Sequence, residues 1–115
     1  MTKKNVKVNY DEDSDMISLF LEYSKSKFSV DISLPKGEII IDFGFNGQIV
    51  GLEFFNASNY FPFLKNLKGE KIKANLKVQY GKEWAEINYE IFAQGAKPVS
   101  NIIISPYNKE LILQN

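Results

Sequence analysis

The stretch EIIIDFGFNGQIVGLEFFNAS, Glu38 to Ser58, reads as two apolar strands joined at Asn46-Gly47. A two-residue type I′ turn needs positive φ at both central positions, and Asn followed by Gly tolerates that best. Such a turn also sets the pairing. With Phe45 facing Gln48, Phe43 faces Val50, Ile41 faces Leu52 and Ile39 faces Phe54, so this face is almost wholly apolar. The other face pairs Gly44 with Ile49, Asp42 with Gly51, Ile40 with Glu53 and Glu38 with Phe55. Asp42 then lies across from a residue without a side chain, and Asp42, Gly51 and Glu53 outline a notch that could take a small ligand. The plainer reading is a solvent-facing Asp beside a glycine that relieves twist.

Working outward, Val6 to Tyr10 alternates apolar and polar, Asp11 to Asp15 is a turn, and Met16 to Tyr23 puts Ile17, Leu19, Leu21 and Tyr23 on one face, which makes a first hairpin. After a turn at SKSK, Phe28 to Leu34 alternates with Phe28, Val30, Ile32 and Leu34 inward, and Pro35-Lys36-Gly37 ends that strand. Beyond Phe55 the alternation stops. NASNYFPFLKNLKGE predicts one short helix, with Asn56 or Ser58 as its N-cap, Pro62 in its first turn and Gly69 as its stop. Strands resume at Ile72 to Tyr80, Trp84 to Phe92, Val99 to Ile104 and Glu110 to Leu113, punctuated by Gly81, Gly95-Ala96, Pro106 and Asn108. The expected fold is mainly β: an antiparallel meander arranged as two packed sheets or a flattened barrel, with one short helix between two related halves.

A chain of 115 residues with 44% hydrophobic content reads as one domain, 1–115, able to build a core without staples. There is no cysteine, which removes disulfides and thiolate metal sites and suits a cytoplasmic protein. No apolar run reaches the roughly 18 residues of a membrane span, so no membrane is expected. Fourteen basic residues balance 14 acidic ones, and every basic residue is Lys. Without Arg the chain lacks the bidentate fork that reads guanine edges and phosphates, which argues against a nucleic-acid partner through the Lys65 to Lys77 lysines. Without His it lacks the commonest general base and the commonest transition-metal ligand.

KVNY at Lys7 to Tyr10 recurs as KVQY at Lys77 to Tyr80, and in that alignment Ile17, Leu19 and Leu21 fall on Ile87, Tyr89 and Ile91. LPKGEIII has a looser counterpart in SPYNKELIL. Residues 72–113 therefore read either as a degenerate second copy or as a pair of hairpins alike in pattern only. Tyr10, Asp11 and Asp15, followed by Ile17, Leu19 and Leu21, then Asp42-Phe43, Gly47, Ile49-Val50-Gly51-Leu52-Glu53 and Ala57-Ser58, resemble the family catalogued as domain of unknown function 2283. The resemblance covers about residues 6–60. It implies a compact β-sheet unit followed by a short helix, and it implies no activity and no catalytic residues. The C-terminal half departs from the short form of that family, and a chain carrying two copies would supply within itself the partner that a short member finds in another molecule.

Asp11, Asp13, Asp15 and Glu22 fall at positions one, three, five and twelve of an EF-hand-like loop, but position six holds Met16 instead of Gly, and strand alternation follows at once. An acidic hairpin turn is the better reading. Ser-His-Asp and Cys-His arrangements are impossible, no Gly-rich phosphate loop occurs, and only Asp15, Asp42 and Glu53 are candidates for carboxylate-pair hydrolysis. No enzyme activity and no cofactor are expected. The aromatic cluster of Phe54, Phe55, Tyr60, Phe61 and Phe63 is either a partner surface or the means by which the helix docks on the sheet. The expected function is a non-enzymatic interaction module, a homo-oligomer or one with a small protein partner. The alternative is a small-ligand binder, with its pocket between the sheets near Asp42 and Gly51.

Overall fold

The computed structural model describes residues 5–67 and 71–114. Among these residues eight strands form two antiparallel sheets, and neither closes into a barrel. β1 (Val6–Asp11), β2 (Met16–Leu21), β3 (Ser26–Ile32), β4 (Ile39–Gly44) and β5 (Ile49–Phe55) build the first sheet, and β6 (Ile72–Tyr80), β7 (Trp84–Ala93) and β8 (Val99–Pro106) build the second. The first has the order β1-β2-β5-β4-β3. Here β3, β4 and β5 follow one another by hairpins and β2 returns beside β5, a Greek-key order in place of the plain meander expected from sequence. Apolar matching selects that neighbour, because Ile17 lies opposite Phe54 and Leu19 opposite Leu52.

The central hairpin keeps the expected register over most of its length: Ile39 faces Phe54, Ile40 Glu53, Ile41 Leu52 and Asp42 Gly51. Its turn differs. The Gly47 N–H donates to the Gly44 carbonyl at 3.0 Å and the Gly44 N–H to the Gln48 carbonyl at 2.8 Å. Of the turn residues only Gly47 has positive φ, at 79°. The loop is therefore the three residues 45–47, a tight turn ending in a left-handed glycine, and not a two-residue type I′ turn. This shifts the pairing by one, so Phe43 faces Ile49 instead of Val50, and a bulge at Val50 shifts it back. Two departures of one residue each cancel.

The residue before a proline is held away from the helical region. Phe61, before Pro62, has φ −128° and ψ 81°, which splits the single expected helix into α1 (Ala57–Tyr60) and a 3-10 turn over Pro62–Asn66. The expected stop at Gly69 lies outside the described residues. Glu110 to Leu113, expected as a strand, belongs to α2 (Lys109–Leu113): the Asn108 side chain accepts from the Leu111 N–H at 3.2 Å and caps the helix. SPYNKELIL, the looser counterpart of LPKGEIII, thus runs into a helix, and KVNY and KVQY lie within β1 and β6.

The core lies between the sheets. Ile17, Leu19, Ile41, Leu52 and Phe54 of the first sheet meet Ala85, Ile87, Tyr89 and Ile91 of the second, with Ala57, Phe61 and Leu64 sealing one end. β1 runs beside β6, joining the sheets along one side. β3 and β8 are the outer strands of their sheets.

Candidate functional site

The register puts Asp42 and Glu53 on the outer face of the first sheet, away from the core and not in a pocket between the sheets, as the ligand-binding expectation had it. Asp42 faces Gly51, so Glu53 is its diagonal neighbour two residues along β5, within reach of a long side chain. Ser29, directly opposite Asp42 on β3, donates its hydroxyl to Asp42 Oδ1. Asp42 is only 2% exposed. Its other oxygen, Oδ2, is buried with no hydrogen-bond partner.

The space over Gly51 is filled. A side-chain carbon there would come within 2.8 Å of the Leu19 carbonyl and 3.1 Å of the Phe20 ring. Phe20, paired with Gly51 from β2, therefore lies across the proposed notch and helps cover Asp42. Both sequence readings, an open ligand notch and a solvent-facing Asp, give way to a buried Asp42 with a half-buried Glu53 diagonal to it. Burial, and then the nearby Asp42, push the Glu53 carboxyl up to about 7. Among the described residues no group of three or more His, Cys, Asp or Glu is placed to hold a metal ion.

Asp15 is elsewhere. Its Oδ1 accepts from the Tyr10 hydroxyl at 2.7 Å and the Ser58 N–H at 3.1 Å, its Oδ2 accepts from the Ser58 hydroxyl at 2.7 Å, and its own carbonyl accepts from the Ala57 N–H at 2.8 Å. The first amides of α1 are thus capped by a turn distant in sequence. Asn56, at the N-cap position with φ 53°, makes no side-chain cap bond. Burial alone would raise the Asp15 carboxyl, but the bonds from Ser58 and Tyr10, with Lys65 nearby, hold it below its ordinary value. Tyr10 is pushed up to about 12 by burial and by Asp15. The acidic turn serves architecture.

The aromatic cluster divides. Phe54 and Phe61 are fully buried, with ring centroids 5.1 Å apart in an edge-to-face arrangement. These two rings dock α1 and cannot form a partner surface. Tyr60 is half-buried and donates its hydroxyl to the Gly37 carbonyl at 2.6 Å, Phe63 packs against the core, and Phe55 lies opposite Met16 on the outer face.

A feature not found by sequence reasoning lies on the side opposite the β1–β6 seam. An apolar groove of about 520 Å³ opens between β3 and α2, lined by Phe28, Val30, Ile32, Phe43, Tyr107 and Ile112 among others. The Phe28 and Phe43 rings stack at 5.0 Å, and Tyr107 stacks on Phe43 at 6.4 Å. The alternation of β3 and the apolar tail of α2 were legible separately; their meeting depends on a helix that read as a strand.

These features define a two-sheet antiparallel β protein with a clasped helix, a buried Asp beside a half-buried Glu on one outer face and an apolar groove on its open side. Residues 7–58 match the model of the family described as protein of unknown function (DUF2283), a segment that runs through the five-stranded sheet to the start of α1. The chain is also 40% identical over 67 residues to an uncharacterized protein of Methanocaldococcus jannaschii. That alignment covers 54% of this chain and 54% of the relative, so the chain spans about half the length of the curated protein it matches. No solved structure matches it. Among the described residues no helix is long and apolar enough to cross a membrane.

Proposed function

We propose that the protein is a non-enzymatic, cytoplasmic interaction module that takes an extended strand along β3, a second copy of the chain being the simplest occupant. The observation that supports this is the groove: an outer strand with an unpaired edge runs beside an apolar trough, so a strand added to β3 would gain backbone pairing and a place for its apolar side chains. Val30, on β3 and lining the groove, is 43% exposed, a large apolar group of the kind such contacts cover. Light scattering on a dilution series should find a dimer, and Val30→Lys, which places a charge on this edge, should shift it to monomer with little change in melting temperature. A wild-type chain that stays monomeric at every concentration would sink the self-association reading. A groove of this size also lies in the range that holds small molecules. That second reading predicts a melting-temperature rise with an apolar dye such as an anilinonaphthalene sulfonate, lost in Val30→Lys.

A further inference from the structure

Around Ser29, β3 is symmetric in kind: Phe28 and Val30 flank it, and Lys27 and Asp31, of opposite charge, lie one residue further out. A strand of that pattern complements an antiparallel copy of itself. The backbone is free to make such a pairing. The Glu38 carbonyl accepts from the Phe55 N–H on β5, so by alternation Ile40 and Asp42 also turn their backbone groups to β5, and Ile39 and Ile41 turn theirs to β3. Ile39 pairs with Ile32 and Ile41 with Val30, which leaves the backbone groups of Ser29 and Asp31 pointing to the open edge. Lys27 is the extra residue of a bulge between Ser26 and Phe28 and has no opposite number on β4. Both Lys27 and Asp31 are exposed.

We propose that two copies of the chain join β3 to β3, antiparallel about a two-fold axis at Ser29, so that their five-stranded sheets become one continuous sheet; this rests on the self-association reading above and fixes its register. Ser29 then faces Ser29 of the second copy, each Phe28 faces a Val30, and each Lys27 faces an Asp31. Phe28 and Val30 both line the groove, so these pairs extend it across the axis and cover the exposed flank of Val30. The two Lys27–Asp31 pairs select the arrangement. Parallel strands in register would set Lys27 against Lys27 and Asp31 against Asp31. Moving the axis to Val30 would set Lys27 against Ser33 and Asp31 against Ser29, with no ion pair. A lysine on an outer strand ordinarily guards that edge against pairing. Here it turns away strands that lack a carboxylate at the matching place, and this chain carries that carboxylate on the same strand.

Charge reversal tests the register without touching the core. Lys27→Asp sets two acidic pairs across the axis and Asp31→Lys two basic ones, so each variant alone should dissociate at a concentration about tenfold or more above that of the wild type, read by sedimentation on a dilution series at low salt. Mixed together, the two variants should form a one-to-one heterodimer, because each Asp of one chain then meets a Lys of the other. A chain carrying both substitutions should dimerise as the wild type does. Circular dichroism should show every variant folded, and if a single variant is not, the doubly substituted chain decides, since a folded monomer there overturns the register. A wild type that is monomeric at every concentration overturns this proposal together with the β3 dimer, as does a dimer that neither Val30→Lys nor the charge variants weaken. A dimer that Val30→Lys breaks, but that both charge variants leave intact or that their mixture fails to restore, overturns the register alone and leaves β3 as the surface.

Discussion

With φ at 51°, Asp15 occupies a left-handed conformation that costs a non-glycine residue about 1 kcal/mol or more. The cost is offset by the bonds it makes possible: the carboxylate and carbonyl of one residue hold Tyr10 and the first amides of α1. Asp15→Asn keeps the tolerance for that conformation and removes the charge, so it isolates the charge-assisted bonds. We expect a loss of about 1–3 kcal/mol in urea denaturation at pH 7. The folded carboxyl lies below its ordinary value, so this contribution is present above that value and disappears as the pH falls through the folded one. The difference between wild type and variant should therefore shrink toward pH 3; a difference that stays constant would refute the electrostatic account. The residues of the clasp were legible as a recurring pattern, but not their purpose. Tyr10, Asp15, Ala57 and Ser58 are separated by the whole first sheet, and only its closure brings them together. Asp42 shows the opposite case. Its partner across the hairpin was legible from register, and the same register already put Glu53 on its diagonal; its burial was not, because that depends on a Phe20 ring arriving from a strand that pairs out of sequence order.

At the scale of elements, the central hairpin was legible in register and not in mechanism. Asn46-Gly47 signals a turn, but Asn46 keeps an ordinary φ and its side-chain oxygen accepts from the Gln48 N–H at 3.0 Å, leaving Gly47 alone to take the left-handed position. The resulting slip would have exposed the core face of β5, and the Val50 bulge restores it. The second sheet then fixes this turn from outside. The Tyr107 hydroxyl donates to the Gly47 carbonyl at 2.6 Å, the Ile49 N–H donates to the Tyr80 hydroxyl at 2.8 Å, and the two tyrosine rings lie 4.8 Å apart. Tyr107→Phe keeps the ring packing and deletes the bond to a buried carbonyl, so it should cost about 1–2 kcal/mol. Hydrogen exchange at the turn amides should accelerate in the variant while the β2–β5 amides remain protected. Equal acceleration throughout would mean that the bond serves the whole sheet and does not act locally.

For the whole molecule, the boundary of the family match coincides with a structural one. Residues 7–58 carry the five-stranded sheet and the first residues of α1, and the three-stranded sheet lies beyond them. Yet Ile17, Leu19, Leu52 and Phe54, all within the matched segment, are shut from water, and what faces them across the core includes Ile87, Tyr89 and Ile91 of the second sheet. The matched segment is therefore one half of a sandwich here, and β6–β8 form the cover. Burial of one large apolar side chain is worth about 1.5–3 kcal/mol, so leaving four of them open removes an amount comparable to the entire stability of a domain this size, about 5–15 kcal/mol. A fragment ending at residue 67 should accordingly not persist as a folded monomer. We expect it either to pair its open face with that of a second fragment or to aggregate, with strong dye binding at low concentration in both cases. Size-exclusion chromatography with light scattering decides between these, and mixing the fragment with a separately made 68–115 peptide should recover a one-to-one species at the expense of both. A fragment that ran as a folded, dye-silent monomer would show that the first sheet does not need its cover, and the second sheet would then have to be explained by something other than closing the core.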